Sequence, residues 1–207
     1  MTYGIMVLTI IAALVCLAMV APNGFLIDDF SRDGVSSIGT LWQTFTDRVM
    51  GGISDGQAVY ETLDGRRCLR LRGRVSLENQ GGFVQAALPL APGGGFFDAS
   101  GFKGIRLLVK GNGERYYVHL RTRDSRRPWQ YYAAGFDAGP AWETVEIPFS
   151  AFEPENLQVP LDTRTLVRLA VVAAKKAFSP DVAVARIELY RVFPEVFRRL
   201  LTGIHAR

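Results

Sequence analysis

Catalysis needs acids, bases or nucleophiles held close together, and this chain offers few candidates. His119 and His205 are its only histidines and lie far apart in sequence. With Cys16 and Cys68 they show no metal-ligand spacing. There is no G-x-S-x-G elbow, phosphate loop or dinucleotide fingerprint. GNGERY (Gly111–Tyr116) begins with alternating glycines, but it separates two strand-like runs and reads as a hairpin turn. Asp47 with Asp55 or Glu61 is a candidate carboxylate pair for acid–base work. Carboxylates beside glycines more often serve turns. The expectation is a protein without a catalytic residue, metal or cofactor; an oxidoreductase or other enzyme is disfavoured.

Binding chemistry is better represented. DRVMGGISDG (Asp47–Gly56) carries far more than a turn requires. Gly51 and Gly52 permit positive φ or a close backbone approach. Met50 suits an adaptable apolar contact. Asp47 and Ser54 suit bonds to backbone amides that such a loop leaves unpaired, and Arg48 is expected to point outward. Two readings stand: an over-determined loop joining sheets, with GRVSLENQGGF (Gly73–Phe83) beside it, or a recognition edge for a partner chain built from the two glycine-containing segments. The second names Asp47, Arg48, Met50, Gly51, Gly52, Ser54, Asn79, Gly81, Gly82 and Phe83 as contact residues.

A second surface follows from alternation. In YYVHLRTR (Tyr116–Arg123), Tyr116, Val118 and Leu120 share one face; Tyr117, His119, Arg121 and Arg123 share the other. In WQYY (Trp129–Tyr132), either Trp129 and Tyr131 or Gln130 and Tyr132 join that outer face. Aromatic area and forked arginine donors suit a sugar or an extended peptide. The same residues also suit a cross-strand lattice that only stiffens a sheet. Tyr117, His119, Arg121, Trp129 and Tyr131 are the candidates.

The elements that must position these residues read as strands. Leu69 and Leu71 alternate with Arg70 and Arg72; Ile105–Val109 alternates except at Leu108. Val145, Ile147 and Phe149 form an inward set, as do Ala185, Ile187 and Leu189. Leu166–Ala174 reads as a strand buried on both faces. Gly, Pro, Asn or Asp bounds each run. Many short strands without helical runs between them imply an all-β chain, an antiparallel β-sandwich or jelly roll. A short C-terminal helix is expected between Pro194 and Gly203, with Val196, Phe197, Leu200 and Leu201 as its apolar stripe.

Charge and the first residues add context. The net charge of +4 rests mainly on arginine and accompanies no nucleic-acid signature, so no nucleic-acid partner is expected. The folded part holds one thiol, Cys68, and no internal disulfide. Ile5–Ala21 is an apolar run of 17 residues with no Lys or Arg before it. That length falls between a secretory core and a spanning helix. It is read as a hydrophobic N-terminal helix acting as anchor or weak signal, which implies membrane association with the side left open. The domain plan is residues 1–24 as that segment, 25–193 as the sandwich and 194–207 as a basic amphipathic helix.

Four motifs in order resemble the complex I intermediate-associated protein family. They are Trp42 with DRVMGGISDG, GRVSLENQGGF, KGNGERY (Lys110–Tyr116), and the spread Trp129, Tyr131, Phe136, Trp142, Val145, Ile147, Pro148, Phe149 and Phe152. Gln80 and Asn112 depart from the family pattern but keep a polar side chain. The resemblance implies a galactose-binding-like jelly roll. It also implies a non-catalytic, chaperone-like role in respiratory complex I assembly, with complex I subunits or assembly intermediates as partners. The alternative is a carbohydrate-binding module on the exported side of the membrane.

Overall fold

Alternating apolar residues and turn-forming residues divide the described part of the chain into twelve strands. A computed structural model describes residues 24–191. The expected N-terminal and C-terminal helices lie outside the described residues. The strands are β1 (Gly24–Asp28), β2 (Gln43–Thr46), β3 (Asp55–Leu63), β4 (Arg66–Arg74), β5 (Phe83–Pro89), β6 (Gly104–Gly111), β7 (Glu114–Thr122), β8 (Tyr131–Ala138), β9 (Glu143–Pro148), β10 (Glu153–Glu155), β11 (Leu166–Ala174) and β12 (Asp181–Tyr190). The helical pieces among the described residues are short 3₁₀ turns.

Two six-stranded antiparallel sheets face each other. The first has the order β3-β4-β12-β6-β9, with β1 also paired to β12. The second has the order β10-β8-β7-β11-β5-β2. The alternating apolar sets meet between them: Leu69, Leu71, Ile105, Leu107, Val109, Ile147 and Ile187 from the first sheet, and Val84, Leu88, Tyr116, Val118, Leu120, Tyr132 and Leu169 from the second. Burial of this continuous layer is the main stabilising term, as in any sandwich. Leu166–Ala174 is buried along most of its length on both faces, as its apolar run requires.

One alternation set needs correction. Ala185 does not join Ile187 and Leu189 in the core. A register shift between Val184 and Arg186 inserts an extra residue in β12, and a bulge of that kind turns the side chains that follow it to the other face. Val182 and Val184 therefore point inward ahead of the bulge, and Ala183 and Ala185 pack with Cys68, Leu63, Leu108 and Trp142 on the outside. Leu108, the exception in its run, belongs to that outer cluster.

GNGERY is a tight turn between two strands but not the expected hairpin. β6 lies in the first sheet and β7 in the second, so the turn carries the chain from one layer to the other and its two strands share no ladder. Asn112 has a defined task there. Its Oδ1 accepts the Tyr116 hydroxyl at 2.6 Å, and its Nδ2 donates to the Ser179 carbonyl at 2.9 Å. Tyr116 in turn accepts the Asp181 amide at 2.9 Å.

Candidate functional site

The chain crosses between the two sheets twice within the DRVMGGISDG and GRVSLENQGGF segments. It leaves β2 in the second sheet for β3 in the first, then leaves β4 in the first for β5 in the second. Both crossovers lie at one end of the sandwich, because Asp55 pairs with Arg74 and Thr46 pairs with Val84. A backbone passing between sheets loses its ladder partners, so its amides need other acceptors.

Asp47 supplies them. Its side chain is fully buried. Oδ1 accepts the Ser54 amide at 2.9 Å. Oδ2 accepts the Gly82 amide at 2.6 Å, the Phe83 amide at 3.3 Å and the Ser54 hydroxyl. Ser54 continues the link: its Oγ accepts the Ser76 amide at 2.9 Å and lies 3.2 Å from the Ser76 carbonyl. One carboxylate thus ties residues 47–54 to residues 76–83. Burial pushes the Asp47 pKa up, but the bonds from Ser54, Gly82 and Phe83 outweigh it and hold the carboxyl below its ordinary value.

The double glycine has two separate reasons. Gly51 sits at φ 91°, the left-handed region that ends the 3₁₀ turn Asp47–Met50. Gly52 needs its missing Cβ, which would fall on the Asp47 carboxyl; Gly81 approaches the same carboxyl from the other crossover. Asn79 adopts a left-handed φ of 54° in the turn before Gly81. The remaining residues turn outward. Val49 is 71% exposed and Met50 56%. Leu77, on the second crossover, is 51% exposed. Arg48 reaches back, donating from Nε to the Ser54 carbonyl at 3.1 Å with its guanidinium 3.7 Å from Asp55. The loop is therefore over-determined in its polar groups and free in its apolar ones.

A carboxylate pair for acid–base chemistry does not form. Asp47 is saturated by its four donors. Glu61 is held by Arg70 at 2.8 Å and Arg72 at 3.0 Å, and Asp55 faces Arg48.

The expected aromatic face lies on the outside of the second sheet. Tyr117 and His119 project from β7, opposite buried Tyr116, Val118 and Leu120. Tyr131 shares this face and Tyr132 is in the core, which settles the open pairing in WQYY. The Tyr131 and His119 rings stack at 4.1 Å with an interplanar angle of 14°. Tyr117 lies 6.3 Å from His119 and carries the Lys175 ammonium 5.0 Å from its ring centroid. The floor between rings is made of small residues: Ala87, Ala170 and Val172 are buried here, with Phe45 and Phe83 packed beside them. Burial, then the nearby Lys175 charge, pushes the His119 pKa down to about 3, and its Nε2 has no hydrogen-bond partner among the described residues. His119 is thus a neutral, stacked ring without the partner a general base needs.

Two arginines complete this face. Arg121 donates to the Ser125 and Arg127 carbonyls at 2.6 and 3.0 Å. Arg168, its cross-strand neighbour, lies 5.6 Å from the Phe45 ring centroid. Neither faces a carboxylate among the described residues. Trp129 is not on the sheet face. It sits in the β7–β8 loop, 52% exposed, with its carbonyl bonded by Asn156 at 3.1 Å.

The two predicted sites adjoin. Phe83 donates its amide to Asp47 and places its ring in the Phe45–Tyr117 cluster, while Thr46 leads directly from Phe45 into Asp47. Sequence reasoning missed Phe45, Val49, Leu77 and Arg168. Val49 was inside the quoted motif and carried the signal of an apolar residue between charged and glycine positions.

Residues 29–177 match the Complex I intermediate-associated protein 30 (CIA30) family. The chain belongs to that family. Comparison with curated proteins returns no match. Among solved structures, the CIA30 chain is similar to the family 11 carbohydrate-binding module of a cellulosomal cellulase of Clostridium thermocellum, with TM-score 0.64 and 17% identity over 84% of this chain and 98% of that one. A family 11 module from Clostridium thermocellum in complex with a β-1,3-1,4-mixed-linked tetrasaccharide gives 0.62 and 18%, over 84% and 99%. A family 30 module from the same organism gives 0.55 and 15%, over 75% and 94%. At these identities the likeness concerns the fold, a carbohydrate-binding-module-like jelly roll.

Proposed function

We propose that this chain is a non-catalytic, chaperone-like factor for respiratory complex I assembly that holds a partner polypeptide at the crossover end of its sandwich. Membership of the CIA30 family supports the assembly role. The observation that carries the binding site is the division of labour in DRVMGGISDG. Its polar groups are spent on Asp47, which ties the backbone down, and Val49 and Met50 project from it into solvent. A loop whose backbone is already anchored has less freedom left to lose on binding. Leu77 extends the edge, and the Phe83–Phe45 cluster leads from it to Arg168 and Arg121. A segment with apolar and acidic side chains fits that sequence of surfaces, because the two guanidiniums face no carboxylate among the described residues.

The test is co-purification of complex I subunits with the full chain. A Val49→Ser/Met50→Ser variant should lose them while its melting temperature stays within a few degrees. Retained capture, with complex I assembled normally, overturns the reading.

A second reading, a carbohydrate-binding module, is favoured by the exposed Trp129 beside the Tyr131 face and by the sandwich itself. Against it, the Tyr131 ring already has one side covered by His119. Binding of a mixed-linked glucan that disappears in Trp129→Ala would favour this second reading.

A further inference from the structure

β12 runs the length of the sandwich and distinguishes its two ends. At its first residue, Asp181 pairs with Arg72, close to the crossovers. At its last, Tyr190 pairs with both Gly24 and Gly104. Ten residues of strand put these ends roughly 30 Å apart. The described chain therefore starts and stops at the end remote from the Asp47 crossovers.

That remote end carries an apolar patch at its surface. Phe25 and Phe97 lie 5.2 Å apart, and Phe102 is 6.2 Å from Phe25. Phe25, Phe97, Ile38, Leu90 and Pro92 border a groove of about 480 Å³. Phe96 stands at the tip of the glycine-rich turn beside it, 57% exposed. The β7–β8 loop reaches the same end, because Arg123 donates to the Thr165 carbonyl and Phe97 pairs with Leu166. That loop adds Trp129 together with exposed Arg126 and Arg127, which have no ion-pair partner among the described residues. Arg191 places its guanidinium 4.4 Å from the Phe102 ring centroid. Aromatic rings flanked by arginines are the composition of a protein surface that meets lipid headgroups.

The geometry points to this end as a bilayer-docking surface, with Phe25, Phe96 and Trp129 in the headgroup region of an anionic membrane and the Asp47 crossovers held away from it. What favours lipid over other occupants is the chain on either side. The 17 apolar residues Ile5–Ala21 stop two residues before Gly24, so at most roughly 10 Å separates their end from the patch. On the other side, Val192, Phe193, Val196 and Phe197, with Arg198 and Arg199, follow directly from Arg191. The docking surface is independent of the partner-binding reading. It rests on the expectation that the apolar run associates with membrane.

The test uses the full chain in a Cys16→Ser background, Cys68 being fully buried. An environment-sensitive fluorophore is attached through Phe96→Cys and, as control, through Lys176→Cys in the β11–β12 turn at the opposite end. Each protein is reconstituted into phosphatidylcholine–phosphatidylglycerol vesicles containing doxyl-labelled lipid. The label at position 96 should be quenched at least twofold more than the label at 176. Pro92→Cys, on the same turn, repeats the measurement should the Phe96 variant fold poorly. Equal quenching at the two ends, failure of the chain to float with vesicles, or self-quenching that depends on protein density and not on doxyl lipid overturns the proposal. The last outcome would assign the patch to a second copy of the chain.

Discussion

The outer faces of the two sheets are built from similar residues and solve different problems. On the first sheet Arg70, Arg72, Arg106 and Arg186 each pair with an acid. Arg70 makes two bonds to Asp181, at 2.6 and 2.7 Å, and a third to Glu61 at 2.8 Å. Arg106 spans Glu146 and Glu188 at 2.7–2.8 Å, and Arg186 shares Glu188. These pairs roof the small cluster of Cys68, Ala183 and Ala185. The hydrogen bonds to Asp181 and then Glu61 hold Arg70 above its usual pKa, so its guanidinium stays charged. On the second sheet the roof is made of rings over alanines, and Arg121 and Arg168 face no acid among the described residues. A face whose charges are satisfied from within has little to offer a partner. The second sheet has ion pairs too, Arg115 with Asp137 and Lys175 with Glu155, but Arg121 and Arg168 beside the rings face no acid among the described residues and keep that interaction in reserve. That difference is the reason the proposed partner is placed on the second sheet.

The largest effect should come from the residue that ties the second sheet to the first. Asp47→Asn replaces an acceptor of four hydrogen bonds with a group that turns N–H donors toward the Gly82 and Phe83 amides. It should cost about 3 kcal/mol or more in urea unfolding. The wild-type carboxyl sits below its ordinary pKa, so it contributes stability above the usual carboxylate range that is lost as pH falls through its folded value. The variant should lack that acid limb. Unchanged stability would show that the crossovers hold without the carboxylate.

Arg70→Met tests the ion-pair face. It leaves Asp181 and Glu61 without their shared cation in a partly buried setting, and should cost about 1–2 kcal/mol while leaving partner capture intact. Loss of capture would move the binding face to the first sheet.

His119 gives the ring face a pH signature. Its folded pKa of about 3 lies below the ordinary histidine value of about 6.5. The unfolded chain therefore takes up the proton first, and stability falls as pH drops from about 6.5 toward 3. The slope is at most about 1.4 kcal/mol per pH unit, reduced by solvent screening. His119→Phe keeps a ring against Tyr131 and should flatten this slope between pH 7 and pH 5. A slope that persists in the variant would assign it to other groups.

The smallest change in stability should accompany the Val49→Ser/Met50→Ser variant, within about 0.5 kcal/mol, because both side chains are mostly in water. Loss of partner capture at that small cost is the pattern the comparison requires.

Much of this was legible in the residues themselves. Tyr116–Arg123 declared its two faces because a strand has period two and no bulge interrupts β7. Asp47 and Ser54 declared their use as amide acceptors because a glycine-rich loop has amides to spare. The identity of those amides was not legible: Gly82 and Phe83 are 35 and 36 residues away, and only the sheet-to-sheet crossing brings them near. The placement of Arg168 beside Arg121 is equally non-local, since it depends on β11 pairing with β7. Ala185 was misplaced because a bulge changes the period without changing composition. Trp129 was grouped with Tyr131 by spacing alone, although a loop residue two positions from a strand need not follow its pleat.

The carboxylate shared by the two crossovers also bears on the order of events as the chain folds. The β3–β4 hairpin is local and can zip early, and its closing pair, Asp55 and Arg74, delivers both crossovers to the same place. Asp47 is then in position to latch only once β2 and β5 have come together on the opposite layer. Joining of the layers and closure of the latch become one step, and amide exchange at Ser54, Ser76 and Gly82 should report a single shared opening.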